Sequence, residues 1–129
     1  MSPGESPSIL IVEDDQNVAE LLGFMLSREG FAPWIIRDGR SAEAYIAEHD
    51  PAAAVLLDLM LPYRDGFAVA TAIRSDVRWK DVPIVMLTAR VLHTDVERGR
   101  ALGISDYVAK PFHPHALVDR IKRLLAVTG

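Results

Sequence analysis

The stretch "ILIVEDDQN", Ile9 to Asn17, decides how this chain folds. Four branched apolar residues run without a break into Glu13, Asp14 and Asp15. An apolar run of this kind favours burial, whereas adjacent carboxylates repel one another and favour water. Both demands are met when a buried strand ends at an open rim, the place where ligands bind in open α/β sheets.

Working outward, apolar runs alternate with amphipathic segments. After the acidic cluster, Val18, Leu21, Leu22, Met25 and Leu26 recur at helical spacing, and Gly30 supplies a stop. Trp34–Ile36 reads as a second strand, which Pro33 assigns to a sheet edge, where a missing N–H costs little. Ser41 to His49 reads as a short helix with Ser41 as N-cap. Strands are expected over Ala53–Leu57, Ile84–Leu87 and Tyr107–Ala109, and helices over Phe67–Arg74, Val91–Leu102 and Pro114–Val127. The helix over Val91–Leu102 is the weakest, because its apolar spacing is irregular and Gly99 costs about 1 kcal/mol against Ala. Five βα units with near-continuous apolar strands predict a doubly wound parallel sheet, strand order 2-1-3-4-5, covered on both faces. Residues 8–128 form this domain, and residues 1–7 read as a disordered leader.

Composition narrows the function. The 129 residues suit one domain, and the net charge of −4 argues against direct nucleic-acid binding by this chain. The absence of cysteine excludes disulfides, thiolate metal sites and cysteine nucleophiles. No apolar run approaches the roughly 18 residues of a membrane span, and the first residues lack the pattern of a signal peptide. A cytoplasmic location is therefore the expectation.

The residues at the carboxyl ends of the strands are Glu13 and Asp14 after the first, Asp58 after the third, Thr88 after the fourth and Lys110 after the fifth, which places all of them on one rim. The first and third strands are neighbours in the expected order, which brings Asp14 close to Asp58. Carboxylates so placed need a cation between them: Lys110, or a hard divalent ion. Magnesium takes oxygen ligands, with one or two carboxylates and retained waters, and no His or Cys accompanies these acids at a strand end.

"ILIVEDD", "LLDLMLPYRDG", "PIVMLTAR" and "DYVAKPF", taken in order, resemble the signature blocks of response-regulator receiver domains, the CheY-like fold of two-component signalling. The resemblance runs from about Ser8 to Val127. It implies that Asp58 is the phosphoacceptor for a sensor histidine kinase or phosphotransfer protein. Asp14 would then ligate Mg²⁺ directly and Glu13 through water, with Asp58 and the backbone carbonyl of Met60 completing the protein ligands. Lys110 would pair with Asp58 and then with the phosphoryl group, and Thr88 would hydrogen-bond a phosphoryl oxygen. Tyr107 would turn into the space Thr88 vacates, and the Lys110–Pro111 bond would be cis. Ala89 leaves room for a phosphoryl group. Met60 and Arg90 stand where the family tunes dephosphorylation, and neither can act as a base for water, which implies a long-lived phosphoryl form. The chain is then a signalling phosphoacceptor rather than an enzyme, with at most slow autodephosphorylation. Its output partner would meet the face built from the fourth helix, fifth strand and last helix. A weak homodimer through that face is a further expectation: Asp106 and Arg120 match one charged pair of a dimerising subgroup, whereas Ser105, Val96 and Ala116 depart from its pattern. Kinase specificity would lie around Asn17 to Leu21.

Plainer readings stand beside these. Asp15 caps the first helix, Thr88 alone could be a strand-end threonine, and Tyr107 alone could be a core tyrosine. His113 and His115 read as surface residues, His49 as a helix-end histidine, and Trp34 and Trp79 as packing residues. A flavin module would need a phosphate-cradling loop where "EDDQN" is acidic. A haloacid-dehalogenase-type hydrolase would need an acid two residues after Asp58, where Met60 stands. The remaining alternative is a pseudo-receiver, a phosphorylation-independent binding module.

Overall fold

The computed structural model describes residues 6–89 and 91–128, with side chains through Ala126. Arg90 and most of the expected leader therefore lie outside the described residues. Among the described residues, five strands and five helices alternate. The first half comprises β1 (Ser8–Val12), α1 (Gln16–Arg28), β2 (Ala32–Ile36), α2 (Gly39–Glu48) and β3 (Ala54–Asp58). The second comprises α3 (Gly66–Ser75), β4 (Ile84–Thr88), α4 (His93–Arg100), β5 (Asp106–Ala109) and α5 (Pro114–Thr128).

The strands form one parallel sheet in the order β2-β1-β3-β4-β5, as the alternation predicts. Pro33 sits on the edge strand β2, opposite Ile9. The tetrapeptide Ile9–Val12 divides its side chains between two cores, which is why it is apolar throughout. Ile9 and Ile11 join Leu22, Leu26, Leu117 and Ile121 beneath α1 and α5. Leu10 and Val12 join Ile46, Phe67, Ile73 and Trp79 beneath α2 and α3. Covering both faces leaves no position for the polar alternation of a one-sided sheet.

Several boundaries move. Asp58 belongs to β3 and pairs in register with Leu87, so the strand carries it to the rim. On α1 the buried stripe is Ala19, Leu22, Gly23 and Leu26, while Leu21 is exposed. Small residues face β2 there: a Cβ on Gly23 would lie 3.2 Å from Ile35 Cδ1. Trp79 is wholly buried, but Trp34 lies exposed at the sheet edge, stacked on Tyr45, so packing accounts fully only for the first.

Aspartates cap the first three helices. Asp15, Asp38 and Asp65 accept from the N–H groups of Val18, Ser41 and Ala68. Ser41 is thus not the N-cap of α2. Asp38 takes that place, accepting from both the backbone N–H and the hydroxyl of Ser41. These bonds, the Ser41 N–H first, hold the Asp38 carboxyl below its ordinary value of 3.8. Replacing it, Asp38→Ala, is expected to cost about 1 kcal/mol, read as a lower urea midpoint at neutral pH. Because the folded value is depressed, the cap stabilises above the ordinary value and fades as pH falls through the folded one. The gap between parent and variant should therefore close in acid. An equal gap at neutral and strongly acidic pH would show that the carboxylate is not what the cap supplies.

The helix α4 is shorter than the spacing suggests, eight residues with Gly99 alone buried and no side-chain cap at Leu92. Its far end is fastened differently. The Arg74 guanidinium donates to the carbonyls of Lys80, Val82, Leu102 and Gly103, tying the turn after α4 to the segment before β4.

Candidate functional site

Register brings the strand ends together: Val12 pairs with Leu57, Asp58 with Leu87, and Thr88 with Ala109. The last residue of β3 and β4, and the residue after β1 and β5, therefore reach the same rim. Glu13 comes directly after β1 and is held by its own N–H, which donates to the Ile36 carbonyl at 3.0 Å. Its side chain is wholly buried, with Oε1 accepting from Lys110 Nζ and Oε2 from the Asp15 N–H at 3.1 Å. Asp58 is also buried: Oδ1 accepts from the Met60 N–H at 3.0 Å, and Oδ2 from Lys110 Nζ at 3.0 Å. The expected Lys110–Asp58 pair is present, but the ammonium is shared with Glu13.

This sharing sets the electrostatics. Burial, reinforced by the neighbouring Asp58, pushes the Glu13 carboxyl up to about 7, against the pull of Lys110 and the Asp15 N–H. Burial alone would lower the Lys110 value, but Glu13 and Asp58 outweigh it and hold the ammonium above its ordinary range. One cation thus serves two buried acids, with Asp14 exposed beside them. One oxygen each from Glu13, Asp14 and Asp58 lie within 4.8 Å of one another. An all-oxygen set with more negative than positive charge is the donor chemistry of a hard divalent ion, so these residues fit Mg²⁺.

The other expected residues fall around this centre. Thr88 is buried at the end of β4, and its carbonyl accepts from the Lys110 N–H at 2.6 Å. The Lys110–Pro111 bond is cis. Ala89 is exposed and, with Lys110, Leu21 and Phe112, borders an apolar recess of about 340 Å³. Met60 presents an exposed side chain while its N–H faces Asp58. Tyr107 stands apart: its hydroxyl donates to the Asp95 carbonyl at 3.1 Å, against α4. A Cβ on Gly99 would fall 1.6 Å from that hydroxyl oxygen, so only glycine admits it.

Arg37 was not visible in the sequence pattern. Its guanidinium donates twice to the Asp14 carbonyl, at 3.2 and 2.6 Å, and pins the acidic loop from β2's end. A lone arginine after an edge strand carries no local signal of a partner 23 residues away.

A family model described as the response regulator receiver domain matches residues 9–122. The chain belongs to that family. Among relatives, this receiver domain is 44% identical over 118 residues to the transcriptional regulatory protein GltR of Pseudomonas aeruginosa, covering 92% of this chain and 48% of GltR. It is 45% identical over 117 residues to the DNA-binding response regulator MtrA of Mycolicibacterium smegmatis, covering 91% and 50%. The chain therefore spans about half the length of the curated relatives it matches. A solved structure, the receiver domain of sensor histidine kinase PA1611 from Pseudomonas aeruginosa, matches with TM-score 0.83 and 31% identity, covering 94% of this chain and 98% of that one. That protein holds a magnesium ion coordinated in its active site cleft. Among the described residues of this receiver domain, no helix is long and apolar enough to cross a membrane.

Proposed function

We propose that this receiver domain accepts a phosphoryl group on Asp58 from a histidine kinase or phosphotransfer protein. The observation that carries the reading is the Asp58 carboxylate itself: buried at the end of a central strand, with one oxygen held by a backbone N–H and the other by Lys110. An Asp58 oxygen bonds to phosphorus as the P–N bond of the donor phosphohistidine breaks, and the ring nitrogen keeps the electron pair. Lys110 then moves with the new charge onto a phosphoryl oxygen, and the Thr88 hydroxyl donates to another. Glu13, Asp14, Asp58 and the Met60 carbonyl would hold Mg²⁺, Glu13 through water, and the ion supplies neutralisation of the phosphoryl charge.

The switch extends from this chemistry. As Thr88 is drawn in, Tyr107 leaves the Asp95 carbonyl and turns inward, altering the surface of α4, β5 and α5 that an output partner reads. The names of GltR and MtrA make a transcription-controlling segment the first output to test. The negative charge of this chain leaves DNA contact to such a segment, in the cytoplasm. A symmetric dimer through the same face would have to exchange a pair already made internally, Arg120 Nη1 with Asp106 Oδ2 at 2.8 Å.

Intact mass after incubation with acetyl phosphate tests the reading. One phosphoryl adduct is expected with Mg²⁺ and none with EDTA. After the donor is removed the adduct should decay slowly, since Met60 offers no base for water. A protein that never takes the adduct would support the pseudo-receiver reading, in which the fold binds partners without phosphorylation.

A further inference from the structure

The loop after Asp58 is held in an unusual shape, and what holds it lies outside the acidic rim. At its base the Gly66 N–H donates to the Leu59 carbonyl at 2.8 Å. A Cβ on Gly66 would sit 2.6 Å from the Asp58 carbonyl oxygen, so the base closes only around glycine. At its tip Tyr63 has φ of +71°, and the Arg64 N–H returns to the Pro62 carbonyl at 2.8 Å. A three-residue turn with a non-glycine centre in that conformation is strained. Strain of this kind persists only where surrounding structure enforces it.

The enforcing structure is the first turn of α2. The Gly39 N–H donates to the same Pro62 carbonyl at 3.2 Å. The Arg40 guanidinium lies over the Tyr63 ring, 4.5 Å from its centroid, and Arg64 Nε lies 3.3 Å from Glu43 Oε2. The exposed cation–π contact and ion pair are individually modest. Gly39 is the stricter element. A Cβ there would lie 2.0 Å from the Arg64 carbonyl oxygen and 2.8 Å from its carbonyl carbon, both backbone atoms that cannot rotate aside.

We propose that the N-terminal turn of α2, with Gly39 at its centre, is a positioning element for the acceptor site. It presses the strained 62–64 turn into place and thereby sets Met60, whose N–H fixes Asp58 Oδ1. Gly39 touches neither substrate nor metal and acts through the loop. The inference rests on the proposed phosphoacceptor reading, and it adds to that reading a residue nineteen positions before Asp58 in the sequence.

Amide NMR of the whole chain, metal-free and then titrated with Mg²⁺ alone, tests it in the parent, Gly39→Ala and Ala44→Gly. The last variant weakens exposed mid-helix α2 without touching the loop. Gly39→Ala is expected to move the metal-free amide signals of residues 60, 61 and 63–66 and to weaken Mg²⁺ binding by about tenfold or more, the scale of outer-sphere substitutions. Ala44→Gly should keep the parent's affinity within about twofold. Parent-like affinity in Gly39→Ala, or equal weakening in Ala44→Gly, overturns the proposal. If Gly39→Ala does not fold, the double variant Arg40→Ala with Glu43→Ala removes two side-chain holds without a clash. A several-fold weakening there supports the proposal, and parent-like affinity overturns it. A parent that binds Mg²⁺ and takes the phosphoryl group while Gly39→Ala does so equally well sinks only this inference. A parent that does neither sinks the phosphoacceptor reading itself.

Discussion

Asp58→Asn is expected to take up no phosphoryl group from acetyl phosphate under conditions that fully modify the parent. An amide oxygen is a far poorer nucleophile than a carboxylate, and removing the nucleophile of a hydrolytic enzyme costs on the order of 10⁶ in rate. The fold should survive the change. The Asn side-chain carbonyl can still accept from the Met60 N–H that now bonds Asp58 Oδ1. The variant also removes one negative charge from beside Glu13, whose carboxyl the Asp58 neighbour helps push up to about 7. Thermal unfolding of metal-free Asp58→Asn should therefore match or exceed that of the parent, which separates lost chemistry from lost structure. An adduct on the variant, located by peptide mass to another carboxylate, would remove Asp58 from the role.

Trp79→Ala should be the most destabilising single change outside the site. The indole is fully buried, its N–H donates to the His49 carbonyl at 2.9 Å, and its ring meets Tyr45 edge-on with centroids 6.2 Å apart. Truncating such a residue costs about 3–5 kcal/mol, a large part of the roughly 5–15 kcal/mol that a domain has in total. For a chain of this size that is a fall in Tm of about 10–20 °C, read by circular dichroism. Trp79→Phe keeps most of the apolar body but leaves the His49 carbonyl without this donor, and should cost about 1–2 kcal/mol. A melting point for Trp79→Ala within a few degrees of the parent would mean that the space collapses far more completely than its position in the core suggests.

The sheet and its rim were legible because each depends on local pattern. Unbroken apolar runs mark strands covered on both faces, and the topology then carries the residues after them to one edge. That logic alone places Glu13, Asp14, Asp58, Thr88 and Lys110. It fails where partners are far apart in sequence and carry no periodicity. Nothing local told Ser41 from Asp38 as the cap, since both are good capping residues three positions apart. The sharing of Lys110 between Glu13 and Asp58 depends on side-chain reach, and Arg37 on a loop crossing. The hold of Gly39 on Arg64 belongs to the same class, because a glycine in a helix's first turn looks ordinary until its neighbour is known. Exposure of Leu21 was hidden for another reason: Ala19 and Gly23 face the sheet, and small residues add little to an apolar count.

The four carbonyls gathered by Arg74 have a mechanical consequence. They come from both sides of a gap, Lys80 and Val82 on one and Leu102 and Gly103 on the other. The C-terminal end of α4 is thus anchored, while its N-terminal end at Leu92 has no side-chain cap and lies a few residues past Thr88. A rod fixed at one end and held near the other by the Tyr107 hydroxyl is a lever. If Thr88 is drawn inward as proposed, α4 would swing about the Arg74 pivot, with the greatest travel in its first turn, where the Tyr107 hydroxyl of β5 meets the Asp95 carbonyl.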